Sequence, residues 1–278
     1  MRLVDTSTER LVQLISPPPR YAILSLTWED DVVLFQDIEN DRAHVKHGYA
    51  MFQGAVKLAR GGGYQYIWID NCCIDKSSSA ELSEAINSMF TWYRKADICY
   101  VYLGDISDQM LSPDTRTERL ARCHWFWRCW TLQELIAPAY VFLYSREWTR
   151  LGKKTDPTWS RLLSEITGIS GEALTSQAGF NLASVAQKMS WASRRAATRE
   201  EDESYSMFGI FGVILAPLYG EGRGSAFRRL QEEIIHKGTD DSVLAWLPKL
   251  DVGDLRSATF GPVLAPSPSQ FANAGGIV

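Results

Sequence analysis

Acidic and hydroxyl residues that follow apolar runs are the first feature of this chain able to do chemistry. Tyr66-Ile-Trp-Ile69 ends on Asp70, with Asp75 close behind, and Ile98-Cys-Tyr-Val-Tyr-Leu103 ends on Gly104-Asp105. A third run, Tyr21-Ala-Ile-Leu-Ser25, leads into Thr27 and Trp28. Carboxylates and hydroxyls in such places hydrogen-bond polar ligands or move protons once a fold gathers them. Other chemistries lack their residues. There is no phosphate-binding G-x-x-x-x-G-K-[ST], and Gly220, Gly222 and Gly224 miss the dinucleotide fingerprint because Ser225 takes its sixth place. H-E-x-x-H and zinc-ligand spacings are missing, so no metal and no cofactor are expected. His44, His47, His124 and His236 stand in no triad setting. Cys72-Cys73 offers a thiol, but no histidine is near it in sequence, and cysteines behind a buried strand are ordinarily small apolar filler.

Helix and strand patterns must position these groups. Between the runs at 66–69 and 98–103, Leu82, Ile86, Met89 or Phe90, and Tyr93 recur at helical spacing, and Ser78 with Glu81 has the spacing of a capping box. Strand, helix and strand in about 40 residues predict a βαβ unit with parallel strands. Ligand crevices in such sheets lie beyond the carboxyl ends of the strands, where Asp70, Asp75 and Asp105 fall. Residues 44–60 read as a helix stopped by Gly61-Gly-Gly63. Residues 107–118 read as a loop, Thr131 to Ala137 as a short helix stopped by Pro138, and Tyr140–Tyr144 as another strand. The alternation predicts an α/β fold with a mainly parallel sheet flanked by helices.

Beyond about residue 150, helical periodicity takes over at 160–167, 182–194, 201–211 and 226–237. No Ser/Gly linker intervenes, so these helices should pack on the sheet. The expected division is an arm over 1–20, an α/β core over 21–150, a helical extension of the same domain over 151–247, and a Pro/Gly-rich, loosely structured tail over 248–278. With 45% hydrophobic and 12% aromatic residues among 278, a substantial core is available. The net charge of -4 and scattered Lys and Arg argue against nucleic acid as a partner. Five cysteines without a C-x-x-C pair, no secretory h-region, and no run of the ~18 apolar residues of a membrane span lead to a cytoplasmic expectation.

Several blocks together carry a resemblance. Tyr21-Ala-Ile-Leu-Ser-Leu-Thr-Trp28, Trp68-Ile-Asp-Asn-Cys-Cys-Ile-Asp75, Ser83-Glu-Ala-Ile-Asn-Ser-Met-Phe-Thr-Trp-Tyr93 and Trp130-Thr-Leu-Gln-Glu-Leu-Ile-Ala-Pro138 resemble successive blocks of the fungal heterokaryon-incompatibility (HET) domain. Ser184–Trp191, Glu201-Asp202, Leu218–Gly222 and Phe227–Ile234 continue it, to about residue 247. Leu26, Glu29 and Cys129 depart from it, standing where the family usually has His, Gly and Gly. The resemblance implies a role in nonself recognition and regulated cell death. HET domains in turn look like distant relatives of Toll/interleukin receptor (TIR) domains, so a TIR-like sheet is implied. Trp130-Thr-Leu-Gln-Glu134-Leu resembles the TIR element whose Glu is catalytic for NAD cleavage, which makes Glu134 the candidate catalytic residue. NAD, or a related nucleotide, is then the implied substrate, and self-association on activation is implied as well.

Breaking a nicotinamide–ribose bond passes through an oxocarbenium-like state that a neighbouring carboxylate stabilises. On this reading Ser25, Thr27, Asp70 and Asp75 are candidates to bind ribose hydroxyls, and Trp28 or Trp130 to stack on a flat ring. Several of the candidates, Glu134 included, have a bland alternative. Thr131-x-x-Glu134 is itself a capping box. Asp70 and Asp75 suit Asx turns, and Trp130 suits a core. Arg194, Glu201-Asp202 and Glu221 are candidates for a second wall, or for buried ion pairs between helices. Two further functions stay open: a non-catalytic death-signalling module acting by self-association, and a HET-like protein recruited to another small-molecule reaction, which Leu26 and Glu29 would permit.

Overall fold

The computed structural model describes residues 1–14, 19–27, 31–110, 115–238, 240–247 and 262–278. Its strands are β1 (Arg2–Asp5), β2 (Leu11–Gln13), β3 (Tyr21–Leu26), β4 (Tyr66–Trp68), β5 (Ile98–Tyr102), β6 (Val141–Tyr144) and β7 (Arg150–Lys153). Among the described residues they form one sheet in the order β2-β1-β4-β3-β5-β6-β7. The strands β4, β3, β5 and β6 run parallel, as the alternation predicts. β1 and β2 continue the sheet antiparallel at one edge, and β7 does so at the other. The stretch read as an arm therefore holds two strands, whose short polar-mixed sequences give little alternation to detect.

The chain enters the parallel part at β3, steps outward to β4, then crosses back over β3 to β5. The connections thus leave β3 towards opposite edges, the topological switch at which doubly wound sheets bind ligands. β3 is buried along its whole length. Helices cover both of its faces, which is why Tyr-Ala-Ile-Leu-Ser-Leu reads as a near-continuous apolar run instead of alternating. Ser25 is the polar exception, and it sits at the carboxyl end.

The crossover from β4 to β5 is made by the helix Ser79–Lys95, which buries Ala85, Ile86, Met89, Phe90 and Tyr93, with Tyr93 against Trp68 of β4 and Phe90 against Phe180 of the helical half. The Ser78 hydroxyl accepts the Glu81 N–H at 3.3 Å, but the return half of the box is not made. The Glu81 carboxylate instead takes the Asp75 N–H at 2.8 Å and pairs with Arg2, tying β1 to this helix. The helix Tyr49–Gly61 ends in a Schellman motif: Gly63 is left-handed (φ 81°), and the Tyr64 N–H returns to the Ala59 carbonyl at 3.0 Å.

The helices after residue 150, including Pro157–Thr167, Val185–Ala192 and Arg223–Lys237, share one continuous core with the sheet. Residues 201–211 keep only one helical turn, Asp202–Tyr205. Residues 262–278 are packed, which corrects the expectation of a loose tail there. Phe271 is fully buried against Phe227, and the Gln231 amide brackets the Ala265 backbone with two 2.9 Å hydrogen bonds. The rest of that stretch, 248–261, lies outside the described residues. Among the described residues no helix is long and apolar enough to cross a membrane.

Candidate functional site

Glu134 lies on the short helix Thr131–Ile136, every residue of which is buried. The capping box suggested by its spacing does not form. Trp130 is the N-cap, and no side chain caps the helix. The Thr131 hydroxyl faces the carbonyls of Trp125 and, at 2.9 Å, Arg128. Freed from the helix end, the Glu134 carboxylate reaches the carboxyl end of β3 and accepts the Ser25 hydroxyl. The Ser25 oxygen accepts the indole N–H of Trp125 at 2.8 Å. Because indole only donates, this bond turns the Ser25 proton towards Glu134. Residues 25, 125 and 134 thus form one directed chain of hydrogen bonds.

Burial dominates the electrostatics. Glu134 is 5% exposed, and desolvation, helped by the negative charge of Asp70, pushes its carboxyl up to about 8. Bonds from Ser25 and Tyr93 and the charge of Arg195 act in the opposite sense. Arg195 is itself buried, which lowers its guanidinium to about 10. It donates to the Arg128 carbonyl at 3.0 Å, to the Thr131 hydroxyl at 2.9 Å and to the Trp191 carbonyl at 3.2 Å. Lys154, also buried, closes the far end of the same helix by donating to the Leu135 and Pro138 carbonyls at 2.9 and 2.6 Å. Desolvation brings its ammonium down to about 8.

Glu134 lines a cavity of about 320 Å³. Leu26, Thr27 and Asp70 form the sheet side, and Leu82, Ile86 and Met89 of the crossover helix add an apolar flank. Arg128, Trp130, Thr198, Arg199, Asp202 and Tyr219 form the opposite wall. Asp202 accepts the Tyr219 hydroxyl at 2.9 Å and a hydrogen bond from Trp130, so one carboxylate fixes two aromatic edges. Burial raises the Asp202 carboxyl, an effect these two bonds oppose. Lys76 stands 3.6 Å from Asp70 at the base of the sheet side. The arrangement combines a sequestered carboxyl, a hydroxyl relay, two aromatic rings and cationic groups.

The proposed site residues divide as follows. Glu134, Thr27, Asp70 and Trp130 line the cavity, and Ser25 touches it through Glu134. Trp28 lies outside the described residues. Asp75 is not among the lining residues: its carboxylate accepts the Ser77 N–H at 3.0 Å and the Ser77 hydroxyl at 2.6 Å, an Asx turn that also lowers its pKa. Asp105 is drawn off by Cys123 and the His124 N–H, at 2.8 Å each. The cavity therefore sits over β3 and β4, while Trp125 covers Ser25.

For the second wall, Asp202 is in place. Arg194 is exposed, however, and its neighbour Arg195 is the buried one. Glu201 accepts the N–H groups of Gly220 and Gly222, and Glu221 is bonded by Tyr205 and Arg229. Arg128, Thr198, Arg199, Tyr219 and Trp125 were not legible as site residues. The Trp130–Pro138 and Leu218–Gly222 blocks were visible in sequence, but nothing local in them says which way a side chain turns. Among the described residues no group of three or more His, Cys, Asp or Glu is arranged to hold a metal ion.

Comparison with known proteins bears on this geometry. Residues 21–119 match the family described as "Heterokaryon incompatibility protein (HET)". Over 238 residues the chain is 45% identical to the "Vegetative incompatibility protein HET-E-1" of Podospora anserina, a match spanning 84% of this chain and 17% of that protein. No solved structure matches the chain significantly. The relative's similarity extends well past the family match and so takes in the helical half of the molecule as well as the sheet. Residues 21–119 thus match the heterokaryon-incompatibility (HET) family, within a chain that is similar over most of its length to a vegetative incompatibility protein.

Proposed function

We propose that this protein is a TIR-like effector of fungal nonself recognition and cell death that cleaves NAD between nicotinamide and ribose, with Glu134 as the catalytic carboxylate. The observation that carries the reading is the placement of Glu134. Its carboxylate is released from helix capping, held by Ser25 and turned to a cavity at the carboxyl ends of parallel strands. In the reaction the bond from C1′ to the ring nitrogen breaks, and its electron pair leaves with the ring as neutral nicotinamide. Positive charge develops at C1′ and is stabilised by the carboxylate, and water adds there with loss of one proton. A carboxyl raised to about 8 is largely neutral in the empty site at pH 7. A pyridinium cation beside it favours the ionised form, so substrate binding itself charges the catalytic group. Asp70 and Thr27 are placed for the ribose hydroxyls, and Trp130 for the ring.

The test is release of nicotinamide from NAD by purified protein, repeated with the protein artificially oligomerised, since the reading includes self-association on activation in the cytoplasm. Nicotinamide release supports the proposal. No release in either state favours a signalling module acting by self-association alone.

A further inference from the structure

Two guanidinium groups share the outer wall of the cavity. Arg128 and Arg199 both line it. A parallel bridge between Arg128 and Ala196, with the Cys129 N–H donating to the Ala196 carbonyl at 3.0 Å, draws the 196–199 segment alongside 128–130. Arg128 Nη1 reaches Thr198 Oγ1 at 3.0 Å. Arg199 lies over Tyr219, its guanidinium carbon 4.3 Å from the ring centroid. Among the described residues neither arginine is in a salt bridge, whereas Lys76 on the sheet side is held against Asp70. Asp202 feels the charge of Arg199, but its carboxylate is occupied by Tyr219 and Trp130. Like charges brought together by the backbone repel one another unless an anion joins them.

Resting on the hydrolase reading, we propose that Arg128 and Arg199 form a phosphate subsite at the mouth of the cavity, and that it takes the phosphates of a nucleotide whose glycosidic bond reaches Glu134. The guanidinium fork matches phosphate oxygens, and stacking on Tyr219 fixes the plane of one fork in advance. Size agrees. About 320 Å³ is at the small end of ligand cavities and suits one ring and its sugar, which leaves the phosphates on the arginine wall. The subsite is supplied partly by the helical half, from residues beyond the stretch that matches the family.

The test is calorimetric titration of ADP-ribose, AMP, adenosine and inorganic phosphate into wild type, Arg199→Gln, Arg128→Gln and Arg199→Lys, each checked for an unchanged melting temperature. Wild type should bind ADP-ribose about tenfold or more tightly than adenosine, because charge-assisted bonds to phosphate are the difference. Each Gln variant should remove most of that ratio, and Arg199→Lys should restore part of it. A ratio that survives both Gln variants overturns the subsite, as does an equal loss for adenosine, or a wild type that binds neither. Inorganic phosphate bound as tightly as AMP would make it a free-anion site and overturn the nucleotide assignment. If Arg128→Gln fails to fold, the exposed Arg199 decides alone. Binding through the arginines without nicotinamide release would sink the hydrolase and keep the subsite. Cleavage with an unchanged ratio would do the reverse.

Discussion

The two sides of the cavity are built on different physics. On the sheet side, Ser25, Thr27 and Asp70 follow directly from strand ends, and Glu134 faces them from a helix buried on every side. Backbone hydrogen bonds of β3 and β4 fix these positions, and desolvation sets the proton state of the acid. On the helical side, Arg128, Arg199, Asp202 and Tyr219 are held by side chains bridging distant stretches, such as Arg128 to Thr198 and Tyr219 to Asp202. These residues are more exposed and carry charge that water partly screens. The buried side is therefore suited to chemistry and the exposed side to recognition. Arg195 joins the two, since its guanidinium reaches both Thr131 at the head of the Glu134 helix and the backbone of Arg128.

That division is easiest to break at the joint. Arg195→Met takes a buried donor away from the Arg128 and Trp191 carbonyls and the Thr131 hydroxyl, and leaves the Trp191 carbonyl without its side-chain partner. The expected cost is about 3 kcal/mol, read as a fall in melting temperature on the order of 10 °C with loss of activity. An unchanged melting temperature would show that the two sides are not joined there. Ser25→Ala should cost less, about 1–3 kcal/mol, because it leaves the Trp125 N–H unpaired. Its signature is in the pH profile. Ser25 lowers the Glu134 carboxyl, so removing it should move the rise of kcat/KM, expected near pH 8 for wild type, to higher pH. A profile that stays in place would contradict the hydrogen-bond chain.

The acid itself leaves a mark on stability. A folded-state value of about 8 against an ordinary 4.5 means the folded protein holds an extra proton between those limits. The Glu134 contribution is then fully present below about pH 4.5 and is lost as pH rises through about 8. Denaturant melts of wild type and Glu134→Gln at pH 5 and pH 8 should diverge, with the variant gaining at pH 8. Lys154 has the opposite sign and acts only above about pH 8. On the exposed side, Asp202→Ala should free Trp130 and Tyr219 for about 1 kcal/mol, raising KM more than it changes kcat. The smallest effect belongs to Asp75→Asn, which loosens one Asx turn. It should leave nicotinamide release unchanged, and any marked loss would return Asp75 to the site.

Legibility in the sequence follows the same divide. The four parallel strands were readable because each is a short apolar run bounded by Gly, Pro or acidic residues, and Asp70 and Thr27 come with the strand ends. The antiparallel strands β1 and β2 were not, because Arg2-Leu-Val-Asp5 and Leu11-Val-Gln13 hold only two apolar residues each. At Thr131-x-x-Glu134 the spacing was right for a cap, yet burial of the whole helix and the nearby Ser25 and Trp125 took both side chains elsewhere. That competition is tertiary and has no local signature. Arg194 and Arg195 show the limit most simply: they are adjacent and identical in type, and only the backbone turn after the Val185–Ala192 helix decides which one is buried.

Glu134→Gln tests the central claim most directly, because Gln keeps the shape of the side chain and can still accept from Ser25 but carries no charge. Nicotinamide release from NAD and melting temperature should be measured together in wild type and variant. The account predicts a melting temperature at pH 7 equal to or above that of wild type, with turnover lower by about a hundredfold or more, the cost of losing one preorganised charge at the transition state. Turnover retained in the variant would contradict it and remove Glu134 from the mechanism.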